Sequence, residues 1–205
     1  MGGEISEFFL PKDFGDFCIG CAKCFSISEE ECPHYENLLP ITKALDASDV
    51  IILASPVYVY HATGSMKAFL DHYGYRWMVH RPEAKMFSKQ AVCISTAAGA
   101  GMKSTNKDMK DSLAFWGVGK IYTCGFAVRE ISFDRVSDKI KNKIERKTSR
   151  ISEKIKRKGD RVKPGIKTKV LFYIMRMMQK NGWDDADVKY WKHKGWNGRV
   201  RPWKD

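Results

Sequence analysis

The amino-acid sequence predicts an α/β protein built on an open, doubly wound parallel sheet. Three observations predict it. Apolar runs at residues 50–54, 91–96 and 120–128 each read as a strand. Helical periodicity at residues 62–70 and 103–116 separates them, so strand and helix alternate. The first run stops at Ser55-Pro56, because proline has no N–H with which to extend a ladder. Such a run reads as a strand buried on both faces of a parallel sheet. In open sheets of this kind the ligand crevice lies outside the carboxyl ends of the strands.

The elements follow in chain order. Residues 1–10 read as the end of a loop and then a strand, with Ile5, Phe8, Phe9 and Leu10 in a half-alternating pattern. Residues 11–37 hold Cys18, Cys21, Cys24 and Cys32 in the spacing C-x2-C-x2-C-x7-C. Thiolates two residues apart can turn onto one soft-metal centre, and a fourth nearby completes a cuboidal cluster. Three readings stand side by side: a [4Fe-4S] cluster, a redox-active or structural thiol loop, and zinc with His34 as a substitute ligand. His34 alone reads as a helix-start or surface residue. Cys93 and Cys124 lie inside strand-like runs and read as small core residues. A disulfide framework is not expected of a cytosolic chain.

Residues 36–48 read as a helix with Leu38, Leu39, Ile41, Thr42 and Leu45 on its core stripe. Pro40 is tolerated near the first turn. Residues 62–70 place Met66, Phe69 and Leu70 at helical spacing, with Lys67 and Asp71 paired on another face. Residues 73–90 form an aromatic connection and then a loop, by their Pro and charges. His80 and Arg81 have two readings, contact with substrate or a pyridine nucleotide and a place at the surface of that loop, and the surface is the expected one. Ala97-Ala98-Gly99-Ala100-Gly101 follows the second apolar run. Small residues there let the backbone approach a flat ring closely. The helix at 103–116 buries Met109, Leu113 and Trp116 and ends at Gly117.

Residues 134–160 read as a long helix with Val136, Ile140, Ile144, Ile151 and Ile155 on one narrow stripe. Pro164-Gly165 breaks the chain before a second amphipathic helix at 166–181. Trp183, Trp191, Trp196 and Trp203 lie in the last 23 residues, four of the six tryptophans. Such side chains need a place to be buried. Packing over the domain or across a dimer is expected, rather than contact with a membrane surface.

Length and charge bound the class. The 205 residues are 43% hydrophobic, enough for one domain core and an appendage. The expected division is an α/β domain at 1–160 and a helical, aromatic-rich extension at 161–205. No apolar run approaches the length of a membrane span. No charged segment followed by an apolar stretch opens the chain, so the cytoplasm is the expected compartment. Residues 134–205 hold 23 Lys/Arg and 9 Asp/Glu, a net of +14, leaving residues 1–133 at −2. That asymmetry points to an anionic partner or to a solvated basic surface. The sparse stripe without aromatic interleaving argues against a dedicated nucleic-acid binder.

The stretch Ser55-Pro56-Val57-Tyr58, followed by Lys67-x-Phe69-x-Asp71, resembles the strand, FMN loop and helix of the NADPH-dependent FMN reductase and iron–sulfur flavoprotein group. The resemblance covers about residues 4 to 130, with a looser echo in D-x-x-Y-W-x-x-x-G-W near the end. It implies a flavodoxin-like doubly wound sheet with helices on both faces and a basic helical C-terminal extension. Residues 1–10 would be its second strand and the three apolar runs its third, fourth and fifth. The first strand and the FMN-phosphate loop would be missing. Flavodoxin-like order places that strand between the second and third, so its absence would expose unpaired backbone. Met1 is then expected to be an internal start or a truncation point, with another segment or chain in that slot.

The resemblance also implies a site. FMN would lie on Ser55, Pro56, Val57, Tyr58 and Val59, and on Thr96, Ala97, Ala98 and Gly99. NAD(P)H would be the co-substrate, and a small-molecule acceptor or ferredoxin-like protein would take the electrons. The cysteine spacing resembles the compact [4Fe-4S] motif of iron–sulfur flavoproteins, with a longer last gap. The aromatic connection would lie near the flavin and at a dimer contact. A homodimer or higher oligomer is implied. The flavin does the chemistry, so no general acid or base is named. A second reading is a truncated, non-catalytic flavodoxin-like module that binds partners through its basic tail.

Overall fold

A computed structural model describes residues 3–159, 161–182 and 184–204. Met1, on which the expectation of an internal start falls, and Trp183 of the tail lie outside the described residues.

A short helix α1 (Lys23–Ser26) sits in the cysteine loop, and α2 (Tyr35–Ala47) leads to strand β1 (Val50–Pro56). Then come α3 (Gly64–Asp71), β2 (Gln90–Ala97), α4 (Met102–Phe115) and β3 (Lys120–Ala127). The helices α5 (Asp138–Lys158), α6 (Ile166–Lys180) and α7 (Asp185–His193) complete the chain. The three strands are parallel in the order β1-β2-β3, paired from Val50, Gln90 and Lys120 onward. Their carboxyl ends therefore align, with Pro56 beside Thr96 and Thr96 beside Phe126.

The sheet has a layer on each face because strand side chains alternate. On one face Ile51, Leu53, Ala91 and Cys93 pack with Leu38, Ile41 and Leu45 of α2, Met66, Phe69 and Leu70 of α3, and Met109 and Leu113 of α4. On the other, Val92, Cys124 and Phe126 pack with Ile155 of α5. Burying one such side chain fully is worth about 1.5–3 kcal/mol. Cys93 and Cys124 are free and buried, as expected of small core residues.

The C-terminal helices build a third cluster. Phe172 of α6, Trp191 of α7 and Trp196 pack on Met78 and Phe87, and all five are buried. Their rings meet at right angles or tilted, with Phe172 and Trp191 centroids 5.0 Å apart. The tail aromatics thus bury themselves over the α/β layers, the first of the two expected destinations. The helix α7 was not anticipated from the sequence; Asp184 caps it by accepting from the N–H groups of Ala186 and Asp187.

Four expectations need correction. Residues 3–9 form no strand. Ile5 and Phe9 are exposed, and Asp13 closes a turn on Phe9 instead. Among the described residues nothing pairs with the outer edge of β1, so the segment has no ladder to join. Second, β1 is buried on one face only: Ile52 remains 60% exposed while Ile51 is 3% exposed. The partners of α5 lie on β2 and β3, leaving that part of β1 uncovered. Third, the aromatic connection is core: Tyr73, Tyr75 and Met78 are buried, and Arg76 forks onto Asp46 at 2.5 and 2.8 Å. Fourth, Arg81 is buried rather than at a loop surface, and residues 84–88 form a 3-10 turn.

Candidate functional site

Two loops meet at the carboxyl edge of the sheet. The first, residues 57–61, leaves β1 and doubles back, with Tyr58 and His61 exchanging backbone hydrogen bonds at 3.0 Å. Val59 and Tyr60 at its apex both have positive φ, 47° and 66°. Non-glycine residues held there store strain of about 1–3 kcal/mol each, which persists only when neighbours enforce it. The neighbours are identifiable. Asp108 of α4 accepts from the Ala62 N–H at 3.1 Å and from His61 Nδ1 at 3.0 Å. The Ser104 hydroxyl donates to the Tyr60 carbonyl. Buried Ser55 accepts from the Thr63 N–H at 3.1 Å, and Thr63 caps α3 through the Met66 N–H.

The second loop, residues 98–101, is largely exposed and joins β2 to α4. Its approach to the first depends on Gly101. There φ is +91°, and a Cβ would come within 2.5 Å of Val57 Cγ1 and 3.1 Å of the Tyr60 Cα. Gly99, by contrast, faces open space. The Val57 N–H donates to the Thr96 carbonyl at 2.8 Å, tying the two strand ends together. Of the nine residues singled out here, Pro56, Tyr58, Val59, Ala98 and Gly99 are exposed at this edge, Val57 and Thr96 are half-buried, and Ser55 and Ala97 are buried beneath it. Tyr58, Val59 and Tyr60 are all exposed there.

The cysteines form a separate centre. Cys18, Cys21, Cys24 and Cys32 line one cavity of about 100 Å³ with His34 and His72. Two left-handed residues, Gly20 and Ala22, bend this loop; Cys18 and Cys21 are exposed and Cys24 and Cys32 half-buried. The Cys24 thiol is pushed up to about 11, first by burial and then by the negative charge of Cys32, Cys18 and Cys21. His34 precedes α2, as its helix-start reading expects, but its ring makes no cap. Instead its Nδ1 lies 2.9 Å from His72 Nε2.

A buried strut holds the cysteine loop. The Arg81 guanidinium donates to the Phe25 carbonyl at 3.0 Å, to the Cys24 carbonyl, and to Asp187 Oδ1 at 2.7 Å. Asp187 of α7 is 1% exposed and also takes His80 Nδ1 at 2.7 Å. Trp191 Nε1 donates to the His80 carbonyl and the Tyr190 hydroxyl to the Pro82 carbonyl. The C-terminal extension therefore reaches the cysteine loop through Arg81, and α7 also lies directly against α1. The sequence does not single out His72 or Asp187, and in it Arg81 reads only as a contact for substrate or pyridine nucleotide or as a surface residue, not as a support of the cysteine loop. Asp187 does stand in the D-x-x-Y-W motif, but no spacing there says what it pairs with.

A parallel α/β sheet with a helical layer on each face and two facing loops at its carboxyl edge defines the doubly wound class. Within that class the chain belongs to the NADPH-dependent FMN reductase family, whose model matches residues 4–131. It is 31% identical over 132 residues to an iron–sulfur flavoprotein of Archaeoglobus fulgidus, covering 62% of this chain and 56% of that one. It is 29% identical over 70 residues to an iron–sulfur flavoprotein of Methanocaldococcus jannaschii, covering 34% of this chain and 35% of that one. The chain thus spans about half the length of the curated relatives it matches, or less. Among the described residues no helix is long and apolar enough to cross a membrane.

Proposed function

We propose that this chain is part of a flavin-dependent oxidoreductase that moves electrons from NAD(P)H through FMN to a small acceptor or an iron–sulfur partner. The observation that carries the reading is the enforced pairing of the strained 57–60 loop with the 98–101 loop around Gly101. FMN supplies hydride acceptance and electron release when bound. The residues that would hold it are Ser55, Pro56, Val57, Tyr58 and Val59 on one side and Thr96, Ala97, Ala98 and Gly99 on the other. They fit a flat ring: the second loop carries no side chain larger than a methyl group at Ala97, Ala98 and Gly99, and Gly99 leaves open space. Asp108 and Ser104 position the first loop and exclude its relaxation into an unstrained turn.

The four thiols fit a thiolate-bound group, and Cys18, Cys21, Cys24 and Cys32 would hold a [4Fe-4S] cluster. The names of both relatives support that reading. A cytoplasmic homodimer is the expected state. A second reading, a non-catalytic binding module, draws its support from the net +14 of residues 134–205. The discriminating experiment is an FMN titration of the purified chain, followed by quenching of flavin fluorescence. Saturable binding that G101V weakens at least tenfold supports the flavoenzyme. Fluorescence unchanged by the chain at any concentration removes it and leaves the binding module.

A further inference from the structure

The cysteine cavity offers nitrogen as well as sulfur. Cys32, His34 and His72 each present one ligand atom, and these atoms lie within 4.8 Å of one another. His72 is 5% exposed, and its ring is oriented from behind. Its Nδ1 lies 2.7 Å from the Ala68 carbonyl, which can only accept, so Nδ1 carries the proton. In the tautomer that this bond favours, the Nε2 lone pair faces His34. A second-shell carbonyl that fixes tautomer and ring angle is the usual support of a metal-binding histidine. Phe14, buried, packs edge-on against the same ring at 4.9 Å and holds it in place.

The distances match one ion. Two nitrogens at tetrahedral angles around zinc, with bonds of about 2.0–2.1 Å, stand about 3.3 Å apart. His34 Nδ1 and His72 Nε2 stand 2.9 Å apart without an ion. Opening that pair by a few tenths of an ångström places both lone pairs on a common centre. Cys32 lies two residues before His34 on the turn that enters α2, so one short segment carries two ligands. Cys24 is the natural fourth ligand, because it lines the same cavity and is half-buried like Cys32, whereas Cys18 and Cys21 are exposed.

We propose that Cys24, Cys32, His34 and His72 also form a Cys2His2 site able to take a single divalent ion of borderline softness, such as Zn2+, in place of a cluster. Binding releases the protons of the two thiols to solvent and moves the His34 proton from Nδ1 to Nε2, with no change in oxidation state. This site uses only two of the four cysteines and does not depend on the iron–sulfur reading. The two occupants share Cys24 and Cys32, so zinc and a four-thiolate cluster exclude each other. A flavoprotein of this build would then be held inactive for cluster chemistry by zinc.

The test uses the full chain, stripped of metal under anaerobic conditions and titrated with Co2+ as the probe. The expected result is one ion per chain, with the intense visible bands of tetrahedral cobalt and a near-ultraviolet thiolate band sized for two thiolates. Zn2+ should bleach it. H72Q and H34Q should each weaken binding at least tenfold, whereas C18S and C21S should leave it unchanged. His34 is only partly buried, so H34Q keeps the test valid should H72Q fail to fold. A thiolate band sized for four sulfurs, binding lost in C18S and C21S, or binding indifferent to both histidine variants would overturn the assignment. Iron and sulfide reconstitution separates the two readings. A cluster that assembles in the wild type while cobalt finds no site leaves the cluster standing and removes this inference. Cobalt binding as described, with no cluster formed, does the reverse.

Discussion

The two centres of this protein are held in different ways. The loop pair at the sheet edge is fixed from within its own α/β layer: Ser104 and Asp108 of α4 reach across to the loop after β1, a separation of fewer than fifty residues. The cysteine cavity is fixed from outside that layer. Arg81 clamps its carbonyls and is itself held by Asp187, 106 residues further along the chain. The difference teaches which parts of the molecule depend on the C-terminal extension. The sheet edge needs only the family's shared core, residues 4–131. The cysteine cavity also needs α7.

Substitutions can break that comparison. The largest effect is expected at the strut. Arg81→Ala leaves the Asp187 carboxylate buried with only His80 beside it, and breaking a buried pair in this way costs about 3–5 kcal/mol. Thermal melts should show the loss, and the thiols of Cys24 and Cys32 should become faster to alkylate. The binding of FMN by whatever fraction remains folded should be unaltered. An R81A protein that keeps slow alkylation would place the support of the cysteine loop elsewhere.

Gly101→Val should act on the other centre alone. The added side chain meets Val57 and must adopt a left-handed backbone, a strain of about 1–3 kcal/mol. Flavin binding should fall while alkylation of the cysteines stays at its wild-type rate. If both centres respond to G101V, they are not independent.

A third effect is a slope rather than a step. The buried Cys93 thiol is pushed up to about 12 by desolvation, from the value of 9.0 that it has in the open chain. Above that lower value the unfolded state releases a proton that the native state keeps. Stability therefore declines as pH rises from about 9 toward about 12, by up to about 1.4 kcal/mol per pH unit for this thiol. Urea melts across that window should show it, and Cys93→Ala should flatten the profile. The smallest effect is expected at Ile52, on the bare face of β1. Ile52→Thr should change stability by no more than about 0.5 kcal/mol, since the side chain is 60% exposed. A larger loss in the purified chain would mean that a partner covers that face in solution.

The sheet, its helices and the two loops at its carboxyl edge were legible because they rest on local signals. Ser55-Pro56 ends a strand, Gly101 permits a close approach, and the 3.6-residue stripes of α2, α3 and α4 name their own core faces. The four cysteines were legible as a group from spacing alone. What stayed hidden is long-range and buried. Nothing near Arg81 signals Asp187, and nothing near His34 signals His72, because the folded core alone brings them together. Residues 1–10 misled for a related reason. Their apolar pattern suits a strand, but a strand exists only where a neighbour offers a ladder, and among the described residues β1 has none on that side.

The most direct measurement is the visible absorption spectrum of the chain purified without oxygen, equilibrated with FMN and then freed of unbound FMN by gel filtration, taken beside G101V and C18S. The account predicts flavin bands that C18S retains and G101V loses, because the sheet edge and the cysteine cavity are separate centres. A colourless wild-type chain, or flavin bands that vanish with Cys18 and survive G101V, would contradict it.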